Sequence, residues 1–209
     1  MNYLDIDNWN RKQHFEHFSK LEDPYFGITA NVEVTNVFNK SKLQKESFFA
    51  MYLHDCLKAL NKVENFKYRI VKDNKVAISD VLHASATIAR ADNTFGFSFI
   101  NFSEDFKTFN QNFLNEKERI LNSTDLFPPI NSDDCIYCSA LPWVSFTGHK
   151  EPNSGQKNES IPKLAFGKIF KENTKIMMPV AISVNHALVD GYHIGLFFEE
   201  YQRQLDKNT

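Results

Sequence analysis

Residues 177–202, MMPVAISVNHALVDGYHIGLFFEEYQ, restrict the possible folds more than any other part of the chain. An apolar strand over residues 176–184 delivers His186 at its end, Asp190 follows four residues later, and Gly191 permits a tight turn. An amphipathic helix over residues 192–205 begins at once. A strand that feeds directly into such a helix calls for a sheet with helices packed on it.

The rest of the chain supplies the other elements. Phe26, Ile28, Ala30, Val32 and Val34 alternate with period two and predict a half-buried strand. Over residues 41–63, Leu43, Phe49, Leu53, Cys56, Leu57, Leu60 and Val63 recur at helical spacing and predict one long helix. Short strands are predicted over 68–71, 76–78 and 95–99, with Asp-Asn turns at Asp73 and Asp92. Ser103 resembles the N-cap of a second helix carrying Phe106, Phe109, Phe113, Leu114 and Ile120, which must end before Pro128 and Pro129. Strands over 136–146 and 164–170 complete the set, and the polar residues 148–160 read as a mobile surface loop. Strands and helices alternate irregularly, which predicts a mixed α/β sandwich without regular βαβ winding, in a single domain over residues 1–209. Twenty phenylalanines suggest a core or cavity walled by aromatic rings.

A formal net charge of −2 with interspersed signs argues against nucleic acid or a membrane surface as partner. The N-terminal residues contain acids and lack a signal peptide's apolar run, so a soluble, cytoplasmic protein is expected. Cys56, Cys135 and Cys138 are odd in number. Cys135 and Cys138 form a CxxC, but no second pair completes a metal site and the local sequence reads as a strand, so buried thiols and no metal are expected.

Chemistry points to His186. Held by a strand and presented at a turn, an imidazole with an ordinary pKa near 6.5 suits the removal of a proton from a hydroxyl at neutral pH. By spacing alone it is as readily a satisfied polar residue at a strand end, and His193, in the first turn of the last helix, is read as structural.

NHALVDG resembles the His-His-x-x-x-Asp-Gly signature of the type A chloramphenicol acetyltransferases. The resemblance extends over nearly the whole chain, through NWNRKQHFEHF at the start, LFP near Leu126, CSALPWVSFTG from Cys138 and VNHALVDGYHIGLFFEEYQ near the end. It implies acetyl transfer from acetyl-coenzyme A to chloramphenicol, hence antibiotic resistance, by a cytoplasmic homotrimer with sites at subunit interfaces. His186 matches the general base, whose second ring nitrogen the family holds by the residue's own carbonyl, and Ser139 the donor to the developing oxyanion. Asp190 and Arg11 match a supporting ion pair, although Arg11 by itself reads equally as a solvated helix charge. Phe26 and Phe95 match aromatic walls of the acceptor pocket, and either is otherwise an ordinary core residue. Lys168 and Trp143 match coenzyme A contacts, and a lone exposed lysine otherwise needs no function.

The chain departs from that pattern on the acceptor side. Asn185 stands in place of the signature's first histidine, Phe18 replaces a tyrosine that hydrogen-bonds the acceptor, and Ala165 replaces a threonine that holds a water. Residues 148–160 replace an aromatic and aliphatic stretch, and His149, Lys150 and Glu151 make a poor wall for a nitrophenyl ring. Two rival readings therefore stand: the same chemistry on another hydroxylated small molecule, and a catalytically silent binding module.

Overall fold

The apolar run that ends at Asn185 is the longest strand of the protein and pairs on both edges, so it organises the rest. The computed structural model describes residues 2–156 and 158–208. In chain order its elements begin with β1 (Asn2–Tyr3), α1 (Lys12–Phe18), β2 (Tyr25–Glu33), α2 (Thr35–Gln44) and α3 (Phe48–Lys62). Next come β3 (Tyr68–Ile70), β4 (Val76–Ile78), β5 (His83–Ala89), β6 (Phe95–Phe97) and α4 (Phe106–Leu121). The chain closes with β7 (Cys135–Leu141), β8 (Lys163–Gly167), β9 (Phe170–Glu172), β10 (Lys175–Asn185) and α5 (Gly191–Asp206).

The main sheet has the order β2-β10-β8-β7-β5-β6, with β9 on the first residues of β10. β10 runs antiparallel to β2 and β8, whereas β8, β7 and β5 are mutually parallel, so the sheet is mixed. A small antiparallel sheet, β1-β4-β3, stands apart. Pro179 lies where β10 changes partner, from β9 at Lys175–Met177 to β8 at Val180–Ser183, so its missing N–H falls in the gap between two ladders. Gly167 opposite is required, because a Cβ there would come within 2.6 Å of the Pro179 ring.

Period-two alternation separates the two faces. Ala84, Ala86, Ile136, Cys138, Leu164, Phe166, Val180, Ile182 and Val184 belong to the buried apolar core. Helix α5 packs on β2, α2 on β10 and α4 on β6, while α3 touches all three helices. Leu53, Leu57 and Leu60 of α3 and Ile194, Phe197 and Leu205 of α5 are buried, each side chain contributing roughly 1.5–3 kcal/mol. The alternate positions, Ser85, Thr87, Tyr137, Ser139 and Lys163, line a cavity on the other face.

Several expectations change in detail. The helix expected over 41–63 is two: α2 starts earlier, Lys45 ends it with a left-handed φ of 57°, and Ser47 caps α3 by accepting the Ala50 N–H at 3.2 Å. Leu43 is consequently exposed. Asp105, not Ser103, caps α4 through the Thr108 N–H at 2.9 Å. The strand expected over 136–146 stops at Leu141, because Pro142 has no N–H to continue the ladder. Six of the twenty phenylalanines, Phe15, Phe66, Phe109, Phe113, Phe166 and Phe197, are buried in the core, and seven more pack against it partly buried.

Candidate active site

β10 carries His186 to the edge of the sheet, where its N–H donates to the Pro24 carbonyl at 2.9 Å. The imidazole lies flat on Phe18, with centroids 3.9 Å apart and planes 9° from parallel, and Phe26 meets it at 4.4 Å. Phe18 is the last residue of α1 and Phe26 lies near the start of β2, so two separate elements frame a ring that a third presents. His186 is half-buried. Its Nδ1 is enclosed without a hydrogen-bond partner among the described residues. The His186 carbonyl, expected to hold that nitrogen, instead accepts from Arg11 Nη2 at 3.4 Å.

Arg11 and Asp190 form an ion pair beneath this turn, and Arg11 is buried rather than solvated. Asp190 also caps α5 by accepting the Tyr192 N–H at 3.0 Å. Burial alone would raise the Asp190 carboxyl, but His193 and Arg11 outweigh it and hold the group below the usual carboxylate value. His193 completes the cap: its Nδ1 accepts the Asp190 N–H at 3.1 Å, and burial depresses its pKa. Its ring is thus part of the cap of α5.

Ser139 lies in β7 on the other face of the sheet, opposite Ala165 of β8, which in turn opposes Ala181 of β10. It lines a cavity of about 420 Å³ with Thr87, Phe97, Phe127, Tyr137 and Lys163. Ala165 is buried in the same row. His186 is five residues beyond Ala181 and two strands away from β7, which separates it from Ser139 by ~19 Å within one chain. A single chain thus brings together His186, Phe18, Phe26, Arg11 and Asp190, and separately Ser139 and Ala165.

Phe95 does not line the Ser139 cavity. It lies at the outer end of an aromatic row in which Phe95 and Phe97 are 5.4 Å apart and Phe97 stacks on Phe127 at 5.6 Å. Phe97 and Phe127 are the residues missed as cavity wall. Both carried a signal, since Phe97 shares the strand parity of Phe95 and Phe127 belongs to the LFP segment. Residues 148–160 supply Glu151, Pro152, Asn153, Ser154 and Glu159 to the same cavity, so this segment forms a wall and is not merely surface loop.

Lys168 is exposed just after β8, and its N–H donates to Val144 at 2.9 Å, which ties it to the turn carrying Trp143. A second cavity of about 390 Å³ is lined by Lys168 with Phe48, Phe49, Pro142 and Phe166. Trp143 is not among its lining residues and is 74% exposed. The three cysteines are free and buried. Burial pushes the Cys135 thiol up to about 12 and raises Cys56 and Cys138 as well, which leaves them poor nucleophiles. Among the described residues no group of three His, Cys, Asp or Glu side chains is placed to hold a metal ion, and no helix is long and apolar enough to cross a membrane.

A mixed sheet with helices on one face carries a framed histidine just past its longest strand and a serine-lined cavity on the other face, and the family this chain matches makes it an acyltransferase. The chloramphenicol acetyltransferase profile matches residues 1–202, and the chain belongs to that family. A chloramphenicol acetyltransferase of Clostridium perfringens is 32% identical over 206 residues, covering 96% of this chain and 93% of that protein. A solved chloramphenicol acetyltransferase structure superposes with a TM-score of 0.87 at 27% identity, over 98% of this chain and 99% of the other. The Azotobacter vinelandii dihydrolipoamide acetyltransferase shares the fold at a TM-score of 0.68 and 14% identity, over 93% of this chain and 86% of its own.

Proposed function

We propose that this protein O-acetylates chloramphenicol with acetyl-coenzyme A, in a ternary complex without an acyl-enzyme, and so confers resistance to the antibiotic in the cytoplasm. The observation that carries the reading is the setting of His186: a half-buried imidazole clamped between Phe18 and Phe26 over a partly buried ion pair. Acetyl-coenzyme A, when bound, supplies an activated acetyl thioester. The second cavity suits part of such a molecule, because a mostly apolar lining that includes a lysine can take a pantetheine arm beside a phosphate. Lys168 would hold phosphate, with Trp143 beside the same turn and Phe48, Phe49 and Pro142 against the arm.

His186 Nε2 takes the proton of the acceptor hydroxyl, which requires the neutral tautomer with its proton on the enclosed Nδ1. The acceptor oxygen bonds to the acetyl carbon, the carbon–sulfur bond breaks, and the proton passes from His186 to the departing thiolate. The Ser139 hydroxyl donates to the carbonyl oxygen as charge develops there, worth about 3 kcal/mol in comparable sites. Arg11 and Asp190 keep the His186 backbone in place and touch no reacting atom. Because His186 and Ser139 are ~19 Å apart in one chain, a complete site needs His186 of one copy over the Ser139 cavity of another. A homotrimer, with one shared site at each interface, supplies this.

The polar wall of the Ser139 cavity favours a second reading, the same transfer to another hydroxylated small molecule. Thiol release from acetyl-coenzyme A separates the possibilities. Turnover with chloramphenicol supports the first, turnover only with other alcohols the second, and no turnover with any alcohol would leave a silent binding module.

A further inference from the structure

Lys163 is the least expected member of the acceptor cavity, because a lysine in a central strand that is only 4% exposed requires partners. Its ammonium has three protons and three acceptors, all on the segment that walls the cavity. It donates to the Pro152 carbonyl at 2.7 Å, to Asn153 Oδ1 at 2.8 Å and to Glu159, with which it forms an ion pair. The Tyr25 ring covers it at 4.7 Å. With every donor used, the lysine has none left for a ligand.

Glu159 extends the connection in two directions. Its Oε2 accepts the Ser154 N–H and the Ser154 hydroxyl, both at 2.6 Å, which folds the segment back on itself. Its backbone carbonyl accepts from Asn185 Nδ2 at 2.9 Å. Asn185 is 2% exposed and directly precedes His186, and its Oδ1 accepts the Ala187 N–H at 2.9 Å, holding the turn on the far side of the histidine. Ser160 anchors the end of the segment by accepting the Ile70 N–H at 2.9 Å.

Resting on the acetyl-transfer reading, we propose that Lys163 is a positioning residue for the acceptor. It pins the segment from Pro152 to Glu159 as the polar wall of the Ser139 cavity, and Asn185 ties that wall to the turn bearing His186. The polar segment 148–160, which departs from a hydrophobic pocket wall, and Asn185, which departs from a double-histidine signature, thereby serve one device. The polar segment needs a buried cation to hold it, and its carbonyl needs a donor where Asn185 stands. The wall selects a hydroxylated acceptor with polar groups of its own over one that offers only an aromatic face.

The test compares the unaltered enzyme with Lys163→Met and with Lys163→Met/Glu159→Gln, the second removing both charges so that no lone carboxylate is left to impair folding. Kinetics are measured with chloramphenicol, or with the best alcohol of a panel if chloramphenicol is not turned over, and amide hydrogen exchange is read at Ser154. The expected result for the double variant is an acceptor KM raised about 10-fold or more, with kcat and the acetyl-coenzyme A KM within about 3-fold. Exchange at Ser154 accelerates about 10-fold or more while Phe197 in α5 is unchanged. Unchanged exchange at Ser154 overturns the clamp, and faster exchange with an unchanged acceptor KM, or with a kcat that falls as far, overturns the positioning role. If the unaltered enzyme turns over no alcohol, the transfer reading fails and the acceptor role with it, while exchange at Ser154 still reports the clamp separately.

Discussion

The imidazole of His186 and the ring of Phe18 lie parallel, 3.9 Å apart and 9° from coplanar, although 168 residues separate them in the chain. The stack fixes the plane in which Nε2 can point, while Phe26 limits rotation from a second direction. A base held this way, as we propose His186 to be, loses little orientation entropy when the acceptor arrives.

His186→Ala is expected to lower turnover at least ~100-fold, since general-base assistance is typically worth 10²–10⁴. Affinity for acetyl-coenzyme A, measured by calorimetry, is expected to stay nearly unchanged, because the second cavity does not include His186. An active alanine variant would remove the proposed mechanism.

Phe18→Tyr is predicted to lower the chloramphenicol KM, by up to about 10-fold for one added hydrogen bond. The stacked ring keeps its place in this change, so any effect reports the new hydroxyl. A Michaelis constant that does not move would place the acceptor elsewhere.

Sharing of the site between copies predicts complementation. His186→Ala and Ser139→Ala chains, each nearly inactive alone, are expected to recover roughly a quarter of the sites when refolded together in equal amounts, because a quarter of random interfaces pair an intact histidine with an intact serine. Thiol release after co-refolding measures it. Activity no higher than that of the separate variants would show that the two residues do not meet across an interface.

Asp55 offers a prediction on stability. Burial pushes its carboxyl up to about 6, despite the hydrogen bond accepted from Asn208 Nδ2 at 2.7 Å. A carboxyl raised in the folded state favours folding when protonated, and that contribution is lost as pH rises above the unfolded value of 3.8 through about 6. Asp55→Asn is therefore expected to stabilise the protein by about 1–3 kcal/mol at pH 7.5, with the gain falling by about half at pH 5. Thermal unfolding at the two pH values checks the sign, and a gain larger at pH 5 would refute it.

Much of the fold was legible because it rests on local periodicity. The alternation from Phe26 to Val34 and the apolar run into His186 mark β2 and β10, since a half-buried and a doubly paired strand leave those patterns. Periodicity fails where a break carries no signal. The apolar spacing runs on through Lys45, whose left-handed backbone ends α2 without a glycine to announce it. Likewise residues 148–160 read as loop from their polarity, yet their contacts make them a cavity wall.

What the sequence by itself determined is the chemistry available: a histidine at a strand end, an aspartate four residues after it, and a serine in a strand. Resemblance to a family assigned these their expected roles. Only the tertiary structure decided which of them meet. The sheet register puts His186 and Ser139 at opposite ends of two rows, and it buries Lys163 where three acceptors converge. Such distances follow from strand order, and strand order is set by long-range pairing that local sequence does not encode.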